Sequence, residues 1–175
     1  MSFQLKGLLA ILLLAGIGVL IVWAPWETGD GTGVPEDIFA EYDGHWQGTF
    51  WSYDIDGRWR ESYRQQMQFK TITADSLVGR VARFSLAGDT LAVDSVFNIR
   101  RGDTLYCIRI RDNGQREVDR GFWADGQIFW RSRDMFGRMN HGYRERIRDD
   151  IWEIDGFTRT DKGRHLMQYG RALKK

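Results

Sequence analysis

The chain has 175 residues, of which 42% are hydrophobic and 28% charged, a composition typical of folded proteins rather than disordered or collagen-like ones. This length allows one globular domain with a tail or an anchor and leaves little room for two domains. The 25 basic and 24 acidic residues give a net charge of +1, which excludes the strongly basic field of a nucleic-acid-binding protein.

Residues 7–26 predict a transmembrane signal anchor. The stretch carries no charge, and at about 1.5 Å per residue a helix of this length spans roughly 30 Å, the thickness of a bilayer's hydrocarbon core. Lys6 precedes the stretch and acidic residues follow it. The positive-inside rule therefore places residues 1–6 in the cytoplasm and the residues after the anchor in the periplasm or another extracytoplasmic space. A cleaved signal peptide is the alternative interpretation.

Residues 27–34 predict a flexible linker, and residues 35–175 an extracytoplasmic domain. The linker is rich in glycine, threonine and acidic residues and lacks an apolar period. Pro35 then opens a predicted short helix with acidic residues at its positive end. The linker is short, so the domain is expected to lie close to the membrane.

After Gly44 the sequence predicts an all-β fold of eight to ten antiparallel strands. Turn pairs containing glycine recur along this region and separate segments rich in β-branched and aromatic residues with alternating polarity. The clearest predicted strands are 45–54, 58–72, 77–85, 90–100, 104–111, 116–124, 127–133, 142–149, 151–159 and 164–173. Because closure removes exposed strand edges, an up-and-down barrel is favoured, with a β-sandwich as the alternative.

The two ends of this domain resemble the calycin superfamily, which includes the lipocalins. A short helix is followed by Gly44-His45-Trp46, similar to the Gly-x-Trp that opens the first strand of those barrels, and Arg171 matches their basic residue on the last strand. The resemblance implies a lipocalin-like barrel with a structural Trp46–Arg171 pair. At the family level it also implies binding of a hydrophobic molecule.

Strand alternation selects candidate ligand-contacting residues inside the barrel. They are Trp59, Glu61, Tyr63, Gln65, Arg83, Phe97, Tyr106, Tyr143 and Glu145. A buried carboxylate needs a partner, so Glu61 or Glu145 is expected to meet Arg83 or a tyrosine hydroxyl. An isomerase-type enzyme that uses these two carboxyl groups as acid and base stays open as a lesser alternative.

No catalytic residue, cofactor or metal site is predicted. The three histidines, His45, His141 and His165, lack metal-ligand spacing. The single cysteine, Cys107, cannot form an internal disulfide, and its apolar strand indicates a buried core thiol. No enzymatic activity is therefore predicted.

The outer surface favours a role in protein–protein interaction. Residues 120–152 interleave arginines with aromatic rings, residue types that dominate binding hot spots. The interface candidates are Trp123, Trp130, Arg131, Arg133, Arg144, Arg146 and Trp152. The sequence thus predicts a non-enzymatic accessory or scaffold subunit of a larger membrane complex, respiratory or photosynthetic. The alternative is a tethered binder of a lipid, pigment or other hydrophobic small molecule.

Overall fold

The computed structural model describes residues 33–133, 138–159, 163 and 165–175. The chain from Gly33 to Lys175 forms one compact unit. The predicted cytoplasmic segment, the anchor at 7–26 and most of the linker lie outside the described residues. Within the described ranges, no helix is long and apolar enough to cross a membrane.

In the described part of the chain, ten antiparallel strands form a closed barrel. They are β1 (Gly44–Asp54), β2 (Trp59–Thr73), β3 (Ser76–Phe84), β4 (Thr90–Arg101), β5 (Thr104–Ile110), β6 (Arg116–Ala124), β7 (Gln127–Arg133), β8 (Met139–Arg148), β9 (Ile151–Arg159) and β10 (His165–Lys174). Each strand pairs with its sequence neighbours, and β1 pairs with β10 to close the sheet. The predicted all-β up-and-down barrel is confirmed, and the β-sandwich alternative is wrong.

The segment before β1 covers one end of the barrel. The predicted helix is a turn followed by a short 3₁₀ helix, Ala40–Tyr42. Phe39 and Tyr42 are buried there, and the Tyr42 ring packs edge-on against Trp152 with 5.2 Å between centroids. The Trp46 indole Nε1 donates a hydrogen bond of 2.8 Å to the Tyr42 carbonyl. This end is therefore closed by aromatic packing.

A lysine, not the predicted arginine, lies over Trp46. The Lys174 ammonium is 5.4 Å from the centre of the Trp46 ring, a cation–π geometry, and these two residues are direct partners across β1 and β10. Arg171 pairs with Thr49 instead, on the opposite face of the sheet from Trp46. The predicted Trp46–Arg171 pair is wrong because the two side chains point to opposite faces of the sheet.

Glycines let the strands approach their neighbours closely inside the barrel. At Gly48 an added Cβ would lie 2.5 Å from the Cα of Ala172 and closer still to the Arg171 carbonyl oxygen. Elsewhere a glycine faces an aromatic ring across the ladder, in the pairs Phe69–Gly79, Gly121–Trp130 and Phe50–Gly170. Such pairs allow the sheet to bend while the ring covers the exposed backbone.

Candidate functional site

A cavity of about 500 Å³ lies inside the barrel. Its floor is mainly apolar and is formed near the closed end by Phe50, Met67, Phe69, Trp130 and Trp152. Gln115, in the turn between β5 and β6, and Arg159, at the end of β9, also line it. The cavity therefore extends to the end of the barrel opposite the 3₁₀ helix.

The cavity wall is polar. It includes Gln65, Arg83, Asp94, Asn98, Arg109, Arg111, Glu117, His141 and Tyr143. These side chains come from β2 to β6, from the turn after β5 and from β8, so hydrogen-bonding groups line much of the space. The barrel is not simply filled by its own aromatic rings.

One carboxyl group is buried at the floor. Glu145 is 5% exposed, and its Oε1 accepts hydrogen bonds from the Tyr42 hydroxyl at 2.8 Å and the Trp130 indole at 2.6 Å. Burial raises the pKa of Glu145 to about 7, although both hydrogen bonds favour the ionised form. This carboxyl meets a tyrosine hydroxyl, as a buried acid requires, and it titrates near neutral pH.

A second polar cluster lies on the wall formed by β6 and β8. Asp119 is 1% exposed, and its Oδ1 is 2.8 Å from Nε2 of His141. The Tyr143 hydroxyl donates to the other carboxylate oxygen at 3.3 Å. Burial raises the pKa of Tyr143 well above its ordinary value, so this residue remains a hydrogen-bond donor. Asp119 thus holds two side chains that border the cavity.

Arginines and acids alternate around the open end. Arg83 contacts Asp94 at 3.4 Å, whereas Glu117 is shared by Arg109 at 3.5 Å and Arg111 at 2.5 Å. About 29% of the Arg109 side-chain surface is accessible, and this surface faces the cavity that the residue lines. Three guanidinium groups therefore share two carboxylates.

Several buried polar atoms of the wall have no partner among the described residues. Oδ1 of Asp94 and Oδ1 of Asn98 find no donor, and Nε of Arg111 finds no acceptor. Asp94 and Asn98 are 3% and 5% exposed, and a buried polar atom without a hydrogen bond costs about 1–3 kcal/mol. Asp94 and Asn98 both line the cavity, so rotation of either side chain toward this space would let a polar guest offset the cost.

The cavity also borders a thiol that cannot serve as a nucleophile at neutral pH. Burial raises the pKa of Cys107 to about 12, so the side chain stays protonated. Within the described residues, no group of three histidine, cysteine or acidic side chains is arranged to hold a metal ion.

Five of the nine predicted interior residues line the cavity, namely Tyr63, Gln65, Arg83, Tyr143 and Glu145. The structure corrects the other four placements. Trp59 is 60% exposed and Glu61 is also exposed, both near the open end of β2. Phe97 and Tyr106 point outward, because the inward positions of β4 and β5 belong to their buried neighbours.

Two predicted interface residues belong to the core. Trp130 and Trp152 are 1% and 5% exposed, and Trp123 is half-buried against the same core. These rings point inward because they alternate along their strands with outward-facing residues. The arginines interleaved with them made this alternation hard to recognise in the sequence.

The four interface arginines lie outside the core. Arg144 pairs with Asp155 at 2.7 Å, and Arg146 pairs with Glu153 at 2.6 Å, both on the neighbouring strand β9. Arg131 lies over the Phe122 ring at 6.0 Å, and Arg133 is exposed at the end of β7. Local partners therefore engage at least three of the four arginines within the barrel itself.

Much of the polar wall was not predicted from the sequence, including the inward orientation of His141. The other residues missed are Asp94, Asn98, Arg109, Glu117 and Asp119. The alternation pattern of β4, β5 and β6 could have identified most of these residues, because they share the inward face of the sheet with buried Val96 and Cys107. The signal is weak because charged residues occupy both faces of these strands.

Comparison with known proteins supports the fold alone. No protein-family model matches the chain, and no curated protein matches it. Among solved structures, the crystal structure of Rv2717c from M. tuberculosis matches with a TM-score of 0.61 and 12% identity, over 82% of this chain and 99% of that one.

Two designed proteins also align. A redesigned β-barrel has a TM-score of 0.45 and 12% identity, over 82% of this chain and 97% of its own. A de novo fluorescence-activating β-barrel has a TM-score of 0.44 and 14% identity, over 79% and 98%. These neighbours are small β-barrels, as this protein is.

Proposed function

We propose that this protein binds a small amphipathic molecule inside the barrel. The observation that carries the proposal is the cavity of about 500 Å³, bordered by the buried, unpartnered oxygens of Asp94 and Asn98. Ligand sites in proteins commonly measure about 300–1,000 Å³ and combine an apolar lining with a few polar groups.

The distribution of side chains defines the chemistry of the guest. An aromatic or aliphatic part would contact Phe50, Phe69 and Trp152 at the floor, while polar groups would meet the wall and the open end. A hydrocarbon without polar groups would leave the wall unsatisfied. The proposal therefore refines the sequence-based alternative, a binder of hydrophobic molecules, to a binder of amphipathic ones.

A cavity-filling substitution tests this function. Val81 lines the cavity, and Val78 lies on the outer face of the same strand, paired with outward-facing Phe97. We expect full-length protein to bind one anilinonaphthalene sulfonate, detected as a mass adduct by native mass spectrometry. V81W should reduce occupancy at least tenfold because the indole takes up the guest's space, whereas V78W should bind normally. Equal binding by the two variants would contradict an interior site.

We further propose that residues 7–26 anchor the barrel on the extracytoplasmic side of a membrane, beside other subunits. The uncharged stretch and its flanking charges support the anchor. Support for a partner comes from the outer face of β4 to β6, where Phe97, Ile110 and Val118 are 36%, 37% and 46% exposed, since exposed apolar patches mark interaction surfaces.

Membrane fractionation tests the proposed anchor, and a measurement of size in detergent tests the proposed partner. The full chain should resist alkaline extraction from membranes, and protease added outside the cytoplasmic membrane should digest the barrel. In mild detergent, the protein should migrate above the size of its monomer, and V118D should return it to monomer size. Alkaline release would refute the anchor, and an unchanged size for V118D would refute a partner at this patch.

A further inference from the structure

We propose that His141 is a general base on the cavity wall, with Asp119 as its positioning residue. The inference rests on the proposed function, because the molecule that donates the proton must occupy the same cavity. His141 lines the cavity and retains 12% of its side-chain surface accessible. Its Nε2 is held by a carboxylate that is itself buried.

The hydrogen bonds fix the tautomer of the imidazole. A carboxylate only accepts hydrogen bonds, so Nε2 carries the hydrogen that Asp119 accepts, and the lone pair lies on Nδ1. Within the described residues, Nδ1 has no hydrogen-bond partner. Asp119 is also fixed by Tyr143, which limits rotation of the carboxylate. This arrangement, a base oriented by a third group, is the one that acid–base catalysis uses.

Uncharged residues flank His141 on the neighbouring strands, and further titratable groups line the same cavity. Its direct partners across β7 and β9 are Ser132 and Thr158, which are neutral. Asp119 is bound to His141 itself. The other charged or titratable side chains that line the same cavity are Tyr63, Arg83, Asp94, Cys107, Arg109, Arg111, Glu117, Tyr143, Glu145, Arg159 and Tyr169. Cys107 and Tyr143 stay protonated because burial raises the pKa of each.

Arg109 supplies a fixed positive charge beside this cluster. The Arg109 guanidinium lies close enough to Tyr143 and Asp119 to interact with both electrostatically. An anion created by removal of a proton would be stabilised by this charge. The preferred substrate is therefore a small planar conjugated molecule with an acidic C–H, whose ring fits the aromatic floor.

Nitrobenzisoxazole is a probe of this class that needs no second reactant. Nδ1 of His141 would take the proton from the ring carbon. The C–H electron pair then forms the nitrile, the N–O bond breaks, and its electrons remain on oxygen as a coloured phenolate. The proton leaves the imidazole for solvent, so neither oxidant nor reductant is required.

The test measures phenolate release by full-length protein, with detergent alone as the blank. We expect H141Q to lower kcat/KM at least tenfold, since a general base contributes roughly 10²–10⁴-fold. Glutamine can still donate to Asp119, which preserves the local structure. H165Q removes an exposed histidine and should leave the rate unchanged. D119N should lower kcat and leave KM nearly unchanged, because Asp119 orients the imidazole and does not itself line the cavity.

Binding of unreactive nitrobenzotriazole, counted by native mass spectrometry, distinguishes the possible failures. Binding with equal rates for wild type and H141Q would overturn the base and leave the proposed function standing. Loss of the rate in E145Q but not in H141Q would assign the base to Glu145 and overturn the proposal. Absence of both binding and rate would count against the base and the binding cavity together.

Discussion

Replacing Gly48 with alanine should prevent normal closure of the barrel. The new Cβ would be 2.5 Å from the Cα of Ala172 and closer still to the carbonyl oxygen of Arg171. Both are backbone atoms of β10, which cannot move without breaking the β1–β10 ladder. We expect the free energy of unfolding in urea to fall by at least about 3 kcal/mol, the upper range for overpacked sites.

Gly142→Ala is a matched control for this prediction. Gly142 is also a strand glycine, but its added Cβ would first meet a side-chain atom, at 3.1 Å on the ring of Phe157. That ring is half-buried and can move by a small distance. The change in stability should stay below about 1 kcal/mol. Similar losses for the two variants would show that backbone crowding at the β1–β10 ladder is not the cause.

Glu145 should make the barrel less stable as the pH rises. Its pKa is about 7 in the folded protein against an ordinary value of 4.5, so between these values the folded state binds more protons than the unfolded state. The contribution of Glu145 to the free energy of unfolding is fully present below pH 4.5 and is lost as the pH rises through about 7. The total loss is about 3 kcal/mol. Urea unfolding between about pH 5 and pH 8 measures the effect.

The variant E145Q should lack most of this pH dependence. Its amide oxygen can accept the hydrogen bonds of Tyr42 and Trp130, and the amide does not ionise. E145Q should therefore be more stable than the wild type at about pH 8 and similar to it at about pH 5. E61Q changes an exposed carboxyl and should retain the wild-type slope. An E145Q slope equal to that of the wild type would refute the assignment to Glu145.

Most of the fold could be predicted from local patterns. Turn glycines such as Gly57 and Gly114 adopt positive φ values of 82° and 81°, where glycine is favoured. These turns separated the strands, and alternation then indicated a closed barrel. The Trp46–Arg171 pair was wrong because a motif match does not fix register, whereas the ladder places Lys174 opposite Trp46.

The candidate site was harder to predict. Alternation along β2 and β8 correctly selected residues such as Gln65 and Glu145, since each strand has a distinct apolar face. Near the open end, a side chain on the inward face can still be exposed to solvent because it lies at the rim. Glu61 is in this position. The Asp119–His141 contact joins β6 to β8 over the intervening strand β7, and single-strand patterns carry no information about such pairs.

The ladder between the first and last strands also sets the order in which this protein can fold. Every other pairing joins strands that are adjacent in sequence, so hairpins from β1–β2 to β9–β10 can form as the chain emerges. The β1–β10 ladder must wait for the C-terminal residues, and such long-range pairing slows folding. During synthesis β1 therefore carries an unpaired edge, and truncation before β10 would leave that edge open to aggregation.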